Sequence, residues 1–598
     1  MRKIRILFRA LSLFALVLAI FVVAPRVFSQ DTQGKIRGTV TSADGKPLEG
    51  VTVSVRGQNE PYATTVFTNE HGVYVFPSLG RNTKYSLMAQ AMGFQTVVAD
   101  VAPGKQVPAL QLKPLHDFSK QMTGVEWMNS FPENTPEERR EKLIFANNCS
   151  GCHDEHFALQ NRFDADGWSK IVTVMSRDSE GGPMNPNNTG LASMNEYKDE
   201  IVAFLTKVRG PAPPNYTLKP LPRPTGEAAQ VVITEYDTPR PEAPEEYLVH
   251  NGSDWMEGTP SRWEGRSTHS AALGGDGRVY FTDDRSMYAT LHQLDPKTGI
   301  VTNLVFPGKN GVAGTHGITA DADGNLWVNN DTTGNFLEFN VKSQRFTDFP
   351  RPADMMGNVG GTDDGDKLAY KGMVWATSGT GAIRINGKTG QYTQFPNPTS
   401  KGTYGMAVDR HGNGWYSSPQ GDKVYVVDAE TGKTSEIAFP PQGTADGLAV
   451  LEKDRQAYAN VKVGADDANP LQVCPRRKGA DPSADVVWVA LFCSDKIARI
   501  DTQTHKITQY PMPHKYSRPY GMEVDREHNV WINETNTDMV AKFNPATQKF
   551  TEYQLPTRGT DVRQVTFDYS TTPMTLFIEY SRENKVARLQ FRKASDME

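Results

Sequence analysis

Cysteine is nearly absent from this chain, with four in 598 residues. So few cannot make a disulfide scaffold, and the fold must rest on ordinary apolar cores. No basic tract stands out and the formal net charge is only −5, which argues against nucleic acid as a partner. No motif for a flavin, nicotinamide or quinone cofactor is present. Beyond residue 23, no apolar run approaches the length of a membrane span. The first segment is different. Arg2, Lys3, Arg5 and Arg9 precede the apolar run 11–23, and "APRVFSQ" follows. A basic start, a short apolar stretch and small residues make a secretory signal peptide over 1–29, cut after Ser29 or after Gln30. An uncleaved anchor is the alternative, but the run is short for a span. The mature chain is expected to be periplasmic or secreted and not an integral membrane protein.

What the chain has in quantity is glycine (51) and proline (39), between recurring strand-like runs. That pattern predicts a mostly β, multidomain fold. Residues 34–115 alternate apolar and polar side chains, with turns at Asp44-Gly45 and His71-Gly72, which predicts an Ig-like antiparallel β-sandwich of about seven strands. Through "GTVTSADGKPLEGVTVSV" and "TNEHGVYVFPSLGRNTKYSLMAQAMGF" it resembles the carboxypeptidase regulatory-like domain. The resemblance implies a spacer, or a module binding carbohydrate or surfaces. Residues 118–209 read as helical. "TPEERREKLIFANN" has a Thr N-cap with Glu three residues on, and "DADGWSKIVTVMSR" and "NEYKDEIVAFLTKVRG" are two further helices. A proline-rich linker occupies 210–229.

Two of the four cysteines fall within five residues: Cys149, Cys152 and then His153, in "CSGCH". C-x-x-C-H is the attachment sequence of haem c, with two thioethers from the cysteines and an axial nitrogen from the histidine. A thioredoxin-like pair wants a βαβ context, and a zinc site wants further ligands nearby. One covalent haem c per chain is therefore expected. The segment resembles a small, α-helical cytochrome c domain, which implies a thioether as sixth ligand. Met175 in "WSKIVTVM" and Met184 in "GGPMNP" are the main candidates, with Met194 a third. Cys474 and Cys493 form a second pair, expected to be disulfide-bonded in an oxidising compartment.

From 230 to 592 the chain repeats. An aromatic recurs as Tyr280, Trp327, Trp375, Trp415, Trp488, Trp531 and Phe577, at the spacing of four-stranded blades. The last unit lacks its outer strand, while "ITEYDTP" precedes the first unit without a blade of its own. A seven-bladed β-propeller closed by that early strand is expected. "THGITADADGNLWVNN", "TYGMAVDRHGNGWYSS" and "PYGMEVDREHNVWINE" resemble the repeats of virginiamycin B lyase. The resemblance implies an elimination using histidine and glutamate beside Mg²⁺. Its ring positions map to His269, His316, Tyr404, Asp446, Tyr520 and Arg563, with Glu534 matching the glutamate. Only two of these are histidines, a departure that puts a lyase site in doubt.

The haem motif separates the readings. An elimination needs no electron acceptor, whereas a propeller that oxidises a ligand does. The first reading is an exported haem c electron-transfer protein whose propeller binds and oxidises a small molecule, passing electrons to a redox partner the sequence does not name. The second is a lyase with an appended cytochrome. The third is a non-catalytic binder of glycans or surfaces with an electron-carrier domain.

Overall fold

The computed structural model describes residues 36–597 except 80–83, 103–106, 151–154, 179–191, 239–267, 284–288, 309–310, 331–332, 356–366, 379–380, 399–401, 441–453, 455, 457–471, 582 and 584. The signal segment, Cys152, His153, Met184 and Asp446 thus lie outside the described residues. Among those described, no helix is long and apolar enough to cross a membrane.

Seven short strands open the fold: β1 (Arg37–Ser42), β2 (Thr52–Gly57), β3 (Tyr62–Phe67), β4 (Val73–Val75), β5 (Tyr85–Gln90), β6 (Val97–Val101) and β7 (Leu110–Leu112). One sheet runs β4-β1-β7 and the other β3-β2-β5-β6. The alternation read from the sequence turns Val40, Val53, Val66, Tyr74, Leu87 and Leu110 inward to a shared core.

The helices are α1 (Gly124–Ser130), α2 (Pro136–Cys149), α3 (His156–Leu159), α4 (Ala165–Asp178), α5 (Ala192–Glu196) and α6 (Lys198–Arg209). The expected capping box at Thr135 and Glu138 opens α2, with Pro136 at its first position, and a second at Thr123 and Glu126 opens α1. Gly210 ends α6 in extended backbone. A Cβ there would lie 2.3 Å from the Thr206 carbonyl oxygen, so the residue is small because the helix end passes so close. Trp127, Phe131, Phe145, Trp168 and Phe204 fill the core between the helices.

Seven four-stranded antiparallel sheets follow, with first strands beginning at Thr268, Ile318, Lys367, Tyr404, Pro475, Pro519 and Val562. The recurring aromatics all sit on second strands and are all buried. Their spacing has a local cause. In "DADGNLW", "DRHGNGW" and "DREHNVW", Asp321, Asp409 and Asp525 cap the turn with one carboxylate oxygen. The other accepts the indole N–H of Trp327, Trp415 or Trp531 at 3.0, 3.0 and 2.8 Å. First strands neighbour one another in chain order, and the seventh, Val562–Asp568, lies against the first, Thr268–Leu273.

The seventh sheet takes its outer strand from far upstream. Strand β8 (Val231–Asp237) pairs antiparallel with Lys585–Phe591 over its whole length, as the unplaced "ITEYDTP" suggested. On its other edge β8 pairs with β3, so the seventh sheet and one sandwich sheet make a continuous eight-stranded sheet. All seven residues of β8 are buried.

The helical segment sits on the loops at one end of the sheets. Asn536 receives the Val125 N–H on its carbonyl at 3.0 Å, and the Glu155 N–H on Oδ1 at 3.5 Å. Arg518 Nη2 donates to Asn147 Oδ1 at 3.3 Å. Arg140 makes a two-toothed pair with the buried Asp454, at 2.9 and 2.6 Å, and Tyr197 donates to the same carboxylate at 3.1 Å. The proline-rich linker packs along this junction. Lys219 N–H donates to Ser130, Leu221 N–H to Glu126, and Arg223 to the Glu49 carbonyl.

Candidate functional site

The end of the sheets that faces the helices is shaped by a repeated defect. In the first, fourth, fifth, sixth and seventh sheets the first strand slips register against the second near its start. The residues in or beside these bulges are His269, Tyr404, Arg476 and Arg477, Tyr520, and Arg563. A bulge re-aims its side chains, and here it turns them toward the mouth between the sheets. Gly521 completes the sixth bulge, where a Cβ would lie 2.3 Å from the Arg563 carbonyl oxygen.

The loops feeding the bulges are held from the preceding sheet. Asp422, Asp495 and Asp538 adopt left-handed backbone, with φ of 51°, 49° and 55°. Each carboxylate accepts two amide protons from the loop that enters the next sheet: Val473 and Cys474, Tyr516 and Arg518, Gly559 and Thr560. The expected Cys474–Cys493 disulfide is formed, with Cα atoms 5.3 Å apart. It packs beneath Phe492, Tyr520 and Tyr404, so it braces the floor of the mouth.

Five sequence-predicted ring residues come together. The imidazoles of His269 and His316 pack against each other, tilted by 37° with centroids 3.5 Å apart. Arg563 Nη1 is 3.5 Å from His269 Nε2, Nη2 pairs with Asp561 at 3.0 Å, and the guanidinium lies over Tyr520 at 5.2 Å. The Tyr404 and Tyr520 hydroxyls hydrogen-bond to each other. One expectation falls outside the described residues and another changes. Asp446, expected at the fifth position, lies outside the described residues; the fifth sheet's first strand is Pro475–Ala480, which brings Arg476 and Arg477 to its mouth end. Glu534 ends its strand fully buried, with Oε2 accepting from Thr537 at 3.3 Å and Glu552 beside it. Burial and that second carboxyl push its pKa well up, and Glu552 in turn pairs with His514 at 3.2 Å. Glu534 therefore belongs to a separate acid pair in the sixth sheet.

Glu579, which the sequence did not single out, stands directly behind the mouth. Its Oε1 accepts the bulge amides of Arg563 and Gln564 at 3.1 and 2.8 Å. Burial pushes its pKa up to about 8, against the opposing pull of Arg477 and those amides. The native state thus holds this proton more tightly than the unfolded chain, whose carboxyl titrates near 4.5. Its stabilising contribution is complete below that value and is lost as pH rises through about 8. In Glu579→Gln the difference in unfolding free energy from the parent should drift in the variant's favour over this window, by a few kcal/mol (~1.4 per pH unit). Denaturant melts of both proteins across that pH range check it, and a pH-independent difference would refute it.

Among the described residues, no three His, Cys, Asp or Glu side chains gather as a metal site, so the Mg²⁺ implied by the lyase resemblance finds no cluster there. In the helical segment, Cys149 is half-buried at the end of α2. It and Met175 of α4 border the same apolar core, which also contains Met194.

Residues 35–112 match the carboxypeptidase regulatory-like domain. No curated protein matches the chain. Among solved structures, a streptogramin B lyase is 17% identical, with 56% of this chain and 95% of that one covered and a TM-score of 0.43. Virginiamycin B lyase from Staphylococcus aureus is 13% identical, with 60% and 100% covered and a TM-score of 0.44.

Proposed function

We propose that the chain is an exported haem c redox protein whose seven sheets close as a propeller, and that a small molecule bound at the mouth is oxidised beside the haem segment. The observation that carries this reading is the seat of the residues that flank the C-x-x-C-H motif. Asn147 and Glu155, on either side of the motif, are bonded to Arg518 and Asn536, in the loops that lead to and flank Tyr520. A passenger domain has no reason to be fastened there. The residue types suit the cofactor: Cys149 and Cys152 would carry the thioethers, His153 the axial nitrogen, and Met175 the sixth ligand, with Met184 and Met194 the other candidates. Cys149 and Met175 already border one apolar core, the setting a porphyrin requires. Bound there, haem supplies a one-electron acceptor. The protein's own residues would orient the ligand against Tyr404, Tyr520 and Arg563 and hold its protons at His269 and His316. Closure is supported by β8 completing the seventh sheet and by the contact of the seventh first strand with the first.

A second reading, elimination at the same mouth, is favoured by the closely packed imidazoles of His269 and His316 with Arg563 against His269, a base beside a cation able to steady a developing oxyanion. One experiment separates the two. Candidate small molecules are screened anaerobically against the oxidised protein while the haem α-band is followed. Reduction that is suppressed in His316→Ala, with the resting spectrum intact, supports oxidation. Turnover with the haem oxidised throughout, undiminished in Cys149→Ala, supports elimination.

A further inference from the structure

The first strands start at the mouth and end in turns on the opposite face, roughly 20 Å away for strands of six or seven residues. There the turn 525–529 of the sixth sheet and the turn 569–574 of the seventh flank a cavity of about 470 Å³, with the short helical turn Gly226–Gln230 ahead of β8 as a further wall. That is the size of a small-ligand site. Its charges balance, with Arg526, Lys542 and Arg592 against Glu227, Asp525 and Glu527. Glu227 pairs with Lys542 and accepts the Tyr553 hydroxyl at 2.9 Å. Asp525 accepts the Trp531 indole N–H and both amides of Asn529. Arg592 donates to the Val75 carbonyl and is drawn toward the Asp596 carboxylate. Arg526 lies over the Tyr569 ring, 3.9 Å from its centroid, and Glu527 follows it at the exposed rim. Nothing in this balance favours an ion over a neutral molecule.

What the wall offers is ring surface edged with hydrogen-bonding groups. Trp531 and Tyr553 line the cavity from the core side, and both are buried. Phe591 and Tyr569 are only half-buried. Phe591 packs against Trp531 and Tyr553 with centroids 5.5 and 5.2 Å away, which fixes its ring while leaving part of it open. Tyr569 is held by the Arg526 guanidinium over its ring, and its hydroxyl accepts the Arg526 backbone N–H at 3.2 Å. Gln230 and Thr572 add an amide and a hydroxyl to the wall, each able to donate and to accept. A neutral sugar ring has the matching chemistry. Its C–H faces lie on aromatic rings, and the hydroxyls around its edge donate and accept in turn.

We propose that this cavity is a carbohydrate-binding site, which seats a neutral sugar residue on Phe591 and Tyr569 with its hydroxyls on the polar side chains around them. The walls come from the sixth sheet, the seventh and the segment ahead of β8, so the site is complete only once β8 has paired with Lys585–Phe591. It lies at the end of the sheets away from the mouth and depends on neither the redox nor the elimination reading.

The test is calorimetric titration of maltose, cellobiose and diacetylchitobiose into the full chain as purified. At least one of the three should bind, with one site per chain and an affinity that added salt leaves unchanged, since no ion pair is made. Tyr569→Ala should weaken that binding about tenfold or more, and Tyr569→Phe, which keeps the ring, should retain most of it. Phe591→Leu guards against a folding defect, because it still fills the space beside Trp531 while losing the flat face. It should bind as weakly as Tyr569→Ala with a melting temperature close to the parent's. Tyr404→Phe, at the mouth, should bind the sugar like the parent. No heat with any of the three sugars from protein that melts normally overturns the proposal. So does full affinity in both Tyr569→Ala and Phe591→Leu, which would place the sugar elsewhere on the chain, on the sandwich or at the mouth. Neither result touches the haem α-band, so the redox reading stands or falls separately.

Discussion

On the proposed haem c reading, replacing Cys149 and Cys152 together by alanine should remove covalent haem entirely, which is the largest chemical effect expected of any change in this chain. A thioether has no non-covalent substitute, and the two-residue interval between the thiols matches the gap between the porphyrin vinyl groups. His153 alone would leave a dissociable ligand that is lost on denaturation. In a host with haem-maturation machinery, haem staining on a denaturing gel should be full for the parent and absent for the double variant. Full staining of the double variant would sink the haem assignment. A second readout is structural. Cys149 packs on the core of Trp168, Met175 and Met194, so protein without the cofactor should lose cooperativity in the helical segment while the sheets melt as before.

Ile233→Pro should be the most destabilising single substitution. Ile233 is fully buried in the middle of β8, opposite Leu589 on one side and Thr65 on the other. Proline there removes a ladder hydrogen bond, and its ring does not fit a strand paired on both edges. The lost isoleucine adds a cavity, for a combined cost on the order of 3–5 kcal/mol. Deleting 231–237 should be worse, because it bares an edge on the seventh sheet and another on the sandwich, and bare edges aggregate. Thermal unfolding with size-exclusion chromatography checks both. A variant that stayed monomeric and melted like the parent would show that β8 does not hold the sheets together.

Much of this was legible before any coordinates because repeats write their geometry into spacing. Eleven residues before Tyr280, Trp327, Trp415 and Trp531 stand His269, His316, Tyr404 and Tyr520, and the structure gathers all four at the mouth. The same interval back from Trp488 reaches Arg477, so the signal for that arginine at the mouth was present in the sequence too. The insertion before Cys474 hid it by offering "TADGLAV" as a more familiar strand start. Glu534 misled for another reason. Sequence spacing places a residue on a strand, but whether its carboxyl meets the mouth or Glu552 depends on packing across the sheet. The seat of the helices on the loops had no sequence signal either, since Asn147, Arg518 and Asn536 are ordinary polar residues until brought together. The pairing of β3 with β8 is made by backbone, which no side-chain pattern reports.

That last pairing bears on the order in which the protein can assemble. β8 emerges early, yet its ladder partner Lys585–Phe591 comes roughly 350 residues later. Until the chain is complete, the seventh sheet is unfinished. The sandwich, by contrast, is made of near neighbours in sequence and can form as soon as its own segment is free to fold. Its β3 then offers β8 a partner at once, leaving one edge occupied and the other waiting. The N-terminal module would act as a jig for the C-terminal strand, holding the landing site in register through the long interval when a lone exposed strand would be prey to proteases and to other chains.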